Sequence, residues 1–124
     1  MKLFLTVAFV ASFLLPDIGV ADTTTFKCVY KTYSDEKGVH DDDFKLTFIL
    51  DNDNSAAYVA GNQGSNPVTV VPSRHGISFI EETFSGNIMT TTITKEGNSV
   101  HSRHYVSTGA GLVPSQSYGK CFTS

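Results

Sequence analysis

Along most of the chain apolar residues recur at every second position, in short runs separated by Gly, Asn, Asp and Ser. The clearest run sets Phe44, Leu46, Phe48 and Leu50 on one face and Lys45, Thr47 and Asp51 on the other, the pattern of a half-buried strand. Phe26, Cys28 and Tyr30 alternate with Lys27 and Lys31 in the same way, which turns Cys28 inward. Further strands are predicted at residues 57–62, 68–71, 77–83, 88–94, 100–107 and about 117–122. The segments between them carry turn chemistry: the Asp/Asn run at 51–55, the Gly and Asn of 62–67 and 85–87, and Gly97-Asn98. No stretch of 22–124 keeps apolar residues at helical spacing for three turns. An all-β domain follows: a single small antiparallel β-barrel, up-and-down with about 7–8 strands, or a β-sandwich. Closure into a barrel is the preferred form, because it removes both exposed sheet edges.

The first 21 residues read differently. Lys2 precedes an almost wholly apolar run at 3–15, Pro16 breaks it, and Gly19-Val20-Ala21 supplies small residues. That is the pattern of a secretory signal peptide cut after Ala21, leaving 22–124 as one secreted or periplasmic β domain. The run is too short for a membrane anchor, which needs roughly 20 apolar residues. In an oxidising compartment the two cysteines of the chain, Cys28 and Cys121, are expected to form one end-to-end disulfide.

Composition narrows the functions. The chain has 124 residues, 9 Lys+Arg against 12 Asp+Glu and a net charge of -3, so it lacks the basic surplus that phosphate-backbone binding needs. With 17% charged and 40% hydrophobic residues it is also too apolar for a disordered chain. In strand count, size and the end-to-end cysteine pair the layout resembles small periplasmic barrels of the lysozyme-inhibitor and lipocalin-like kinds. Trp is absent, so the tryptophan-bearing signatures of those families match at no position, and no functional residue is carried over.

The densest chemistry lies in His101-Ser102-Arg103-His104-Tyr105. On a strand His101 and His104 point to opposite faces, which argues against a shared metal. If Val100 and Val106 mark the core face, Ser102 and His104 lie inward with them and His101, Arg103 and Tyr105 form an outward polar row. The opposite assignment buries Arg103, which then needs a carboxylate. Glu81 is the natural partner, because it shares a face with Ile77 and Phe79. An internal Glu81–Arg103 pair either fixes strand register or orients a ligand in the barrel interior.

Asp41, Asp42 and Asp43 read as a solvated loop before a strand that could dock a basic partner. Asp51, Asp53 and Ser55 match the start of a calcium loop, but Ala56 and Asn62 stand where Gly and Glu are required, so no metal is expected. Nothing matches a nucleophile elbow, a zinc helix or a phosphate loop, and no cofactor is expected. The reading that fits best is a monomeric, non-catalytic binding module for a small molecule or a secreted protein, with no membrane span. The alternatives are a small hydrolase-like enzyme using His101, Arg103, His104 and Tyr105, and an inhibitor of an envelope enzyme.

Overall fold

A computed structural model describes residues 22–61, 64–109 and 111–124, so the signal peptide expected at 1–21 lies outside the described residues. Eight strands, β1 (Thr23–Asp35), β2 (Gly38–Asp51), β3 (Ala56–Gly61), β4 (Gly64–Pro72), β5 (Gly76–Glu82), β6 (Ile88–Thr94), β7 (Asn98–Ser107) and β8 (Gly111–Thr123), form one closed antiparallel barrel. Each strand pairs with its neighbours in sequence and β8 returns to β1, which settles barrel against sandwich. This order needs only hairpin connections. No helix among the described residues is long and apolar enough to cross a membrane.

The β1–β8 seam is the one junction without a hairpin, and there Cys28 and Cys121 stand directly opposite each other, Cα to Cα 4.0 Å, joined by a disulfide. Closing a loop of 93 positions stabilises the fold by about 4–5 kcal/mol through the entropy it removes from the unfolded chain. Close approach at the same seam depends on Gly119, which faces Tyr30. A Cβ there would collide with the Val29 carbonyl oxygen and come within 2.8 Å of the Tyr30 ring.

The core sits at mid-barrel and towards the end that carries the turns at 52–55, 73–75 and 95–97. Phe48 and Phe79 stack with ring centroids 4.5 Å apart, and Phe26 meets Phe79 edge-on at 5.7 Å. Leu46, Ala57, Val59 and Ile93 fill the space around them, and Leu50, Val70 and Ile77 pack against the cluster. An eight-stranded barrel is just wide enough for its side chains to fill.

Three expectations are corrected. First, the inward face of β7 is the opposite one: Ser99 and His101 are buried, while Val100 and Val106 are 36% and 68% exposed. The neighbours set this register. His101 pairs with Thr91 of β6 and Ser117 of β8, both buried, and the interior at that height is polar, so the two valines were no guide to it. Second, residues 41–43 are not a loop. They lie within β2, where Asp41 pairs with Thr32 of β1, and backbone pairing outweighs the poor strand propensity of Asp. Third, β8 begins at Gly111 rather than near 117.

Candidate functional site

At the end opposite the aromatic core, β1, β2, β7 and β8, of 13, 14, 10 and 13 residues, run on past the four shorter strands. Their inward side chains enclose a cup of about 440 Å³ lined by Tyr33, Asp35, Asp42, Phe44, His101, Arg103, Val113, Ser115 and Ser117. A bulge shapes it. The pairing of β1 slips by one residue between Tyr30 and Thr32 against both neighbours, so the strand turns Tyr33 and Asp35 into the cup where unbroken alternation from Tyr30 would have turned Thr32 and Ser34.

His101 is the most constrained group in the cup. It is 5% exposed, its ring packs 5.5 Å from Phe44 and 6.0 Å from Tyr30, and its Nδ1 lies 2.7 Å from the Thr91 hydroxyl. Its Nε2 is buried with no hydrogen-bond partner among the described residues. Burial, and then the nearby Arg103 charge, lower its pKa to about 4, so the ring is neutral at pH 7. Nε2 is then a donor or an acceptor according to whether Thr91 donates to Nδ1 or accepts from it. Either way a polar atom is left unsatisfied, at a cost of about 1–3 kcal/mol until something pairs with it.

Beside it, the buried Tyr30 hydroxyl is 2.9 Å from Ser99 Oγ, and burial raises the phenol pKa although the Ser99 bond opposes the shift. On the opposite wall Asp35 Oδ1 accepts from His40 Nε2 and from the Lys37 amide, both at 2.9 Å, and these bonds hold its carboxyl below the usual range. The His40 ring stacks on Tyr33 at 4.8 Å, which fixes the rim. Asp42 uses Oδ1 to accept the Asp43 amide at 2.8 Å. Arg103 has no ion pair or hydrogen bond with any described residue.

Of the residues singled out in sequence, His101, Arg103 and Asp42 meet in this cup. His104 stands on the outer face with Val100 and Val106, and Tyr105, 43% exposed, pairs with Val113 at the rim. Asp41 and Asp43 point outward, Asp43 lying 3.9 Å from Lys31 Nζ. Glu81 faces inward, as its alternation with Phe79 indicated, but the Glu81–Arg103 pair is not formed. Met89 lies between them in register, which sets the two backbones two strand spacings, about 10 Å, apart, and Glu81 instead accepts from Asn66 Nδ2 at 2.8 Å. Sequence reading missed Tyr33 and Asp35, which the bulge hides, and Ser115 and Ser117. The alternation of Val113, Ser115 and Ser117 up to Cys121 was the available signal for the last two.

A larger hollow, about 530 Å³, lies at the apolar end among Phe26, Ile77, Ile93 and Phe122. Its polar backbone is largely paired, Gly97 to Thr94 at 2.9 Å and Cys121 to Gly97 at 2.7 Å, and among the described residues no side-chain atom is buried and unsatisfied there. Size therefore points to one end and chemistry to the other, and the unsatisfied imidazole favours the cup. No protein family, curated protein or solved structure matches this chain.

Proposed function

We propose that this protein is a non-catalytic binding module that takes a small polar molecule into the cup, and that it works in a secreted or periplasmic setting after cleavage behind Ala21. The observation that carries this reading is the buried Nε2 of His101, without a partner among the described residues, in the wall of a cavity with charged and hydroxyl side chains on both sides. Such a concave site with a few convergent polar groups is the usual form of a small-molecule pocket. The hydrolase-like alternative is less well supported. His104 is on the outer face, no hydrogen bond links Ser115 or Ser117 to His101, and an imidazole with a pKa of about 4 is a weak general base at neutral pH. The disulfide between the two cysteines fits an oxidising compartment.

Native mass spectrometry of the protein recovered from its own compartment tests this. The expected species begins at Asp22, is two hydrogens lighter than the reduced chain, and carries a low-mass molecule that His101→Phe no longer retains. A bare protein whose cup amides also stay unmoved in a metabolite extract, followed by 15N NMR, would overturn the reading.

A further inference from the structure

The charges in the cup are sorted by wall. Arg103 stands on β7, Asp35 and Asp42 on β1 and β2, and the small hydroxyls of Ser115 and Ser117 on β8 lie between them. Across this gap the opposite charges do not pair with one another, since the ion pairs that involve these carboxylates and their neighbours are His40–Asp35 and Lys31–Asp43. A purely anionic ligand would meet two carboxylates. A purely cationic one would meet the guanidinium, and a neutral polyol would engage the charge of neither wall. A molecule with one charge of each sign satisfies both walls, and electrostatic complementarity of this kind selects a ligand more strongly than it raises raw affinity.

From this placement, and resting on the reading of the cup as a binding site, we propose that its ligand is a small zwitterion of the amino-acid type, a free amino acid or dipeptide, with its carboxylate on Arg103 and its ammonium on Asp42 and Asp35. A guanidinium presents a planar fork that matches a carboxylate in bidentate geometry. Asp42 has committed only Oδ1, to its neighbour's amide, which leaves Oδ2 for an ammonium. The His101 Nε2 and the two serine hydroxyls meet the remaining polar atoms of the ligand, while Phe44 and Val113 offer apolar surface for a side chain.

The test uses 15N NMR titration of residues 22–124 with L-phenylalanine and glycyl-L-phenylalanine, their N-acetyl and C-amide forms, and glucose. The expected result is that a zwitterion moves the amides of 101, 103, 115 and 117, and that capping either terminus weakens binding by roughly tenfold or more, the loss of one charge-assisted contact. Arg103→Gln should then bind the amide form as well as the free acid, and Asp42→Asn should bind the N-acetyl form as well as the free amine. Capped forms or glucose that move the same amides with affinity equal to the zwitterions' would overturn the charge selection and leave the cup a binding site. Cup amides unmoved by every probe would overturn the zwitterion proposal, and the reading of the cup as a binding site falls with it only if a metabolite extract leaves those amides unmoved as well.

Discussion

The two ends of this barrel put different material inside it, and β1 changes phase between them. At one end Phe26, Phe48 and Phe79 interlock and Leu50, Val70 and Ile77 pack on them, so rings and branched chains line the interior, including the hollow of about 530 Å³ beside Phe26 and Ile77. At the other, β8 contributes Ser115 and Ser117 where the apolar end has Cys121, and four strands extend beyond the rest, so the lining is polar and holds the one buried side-chain atom, His101 Nε2, that is unsatisfied among the described residues. Burial of apolar area near the aromatic cluster is the main local source of stability, and the cup draws on it, since a buried imidazole nitrogen without a partner opposes folding. Stability and binding capacity are therefore divided along the barrel axis, and substitutions at the two ends should separate them.

The largest separation is expected at Phe79, 1% exposed and in ring contact with both Phe26 and Phe48. Phe79→Ala should lower the unfolding free energy by about 3–5 kcal/mol in guanidinium denaturation, through lost transfer energy and the cavity left behind. Ser117→Ala at the cup should cost far less. Equal losses would mean that the two ends are not energetically distinct.

A smaller effect comes from the cup itself. The His101 pKa is lowered to about 4 in the fold, against an ordinary value of 6.5. The unfolded chain thus takes up this proton before the folded one does. Stability is complete above about pH 6.5, falls as the pH drops towards 4, and levels off below, a total of roughly 3 kcal/mol. Asp35, His40 and Asp42 also lie in or beside the cup, so the quantity to read is the difference between the wild type and His101→Gln in denaturation from pH 7 to pH 4. A His101→Gln variant with the same pH slope as the wild type would show that the imidazole is not held neutral by burial.

Sequence and structure agree where one face of a strand is uniformly apolar. Phe44, Leu46, Phe48 and Leu50 declare their register, as do Phe26, Cys28 and Tyr30, and the cysteine spacing named the seam that closes the barrel. Agreement fails at the polar end, for a physical reason. When both faces of β7 mix polar and apolar residues, alternation no longer says which points inward, and only the partners His101 finds in Thr91 and Ser117 decide it. The bulge after Tyr30 changes phase without any Gly or Pro to announce it, so Tyr33 and Asp35 were not legible as site residues. The Asp41–Asp43 run looked like a loop because Asp disfavours strands when no partner strand is known. The candidate site lies in the part of the barrel where hydrophobic patterning carries least information.

The smallest expected change in stability is at Arg103, and it sharpens the contrast most. The side chain is exposed and has no ion pair or hydrogen bond among the described residues, so Arg103→Gln should shift the unfolding free energy by no more than about 0.5 kcal/mol. Yet its charge is one of the two causes that depress the His101 pKa, the other and larger being burial. Removing the charge should therefore raise the His101 titration midpoint from about 4, while burial keeps it below 6.5. Imidazole 15N shifts followed against pH, beside a thermal melt, read both quantities in one protein. A midpoint that moves while the melt stays put would place Arg103 in the electrostatics of the cup and outside the packing of the fold. An unmoved midpoint would mean that burial alone sets the state of His101, and that Arg103 and the imidazole do not sense each other's charge across the wall they share.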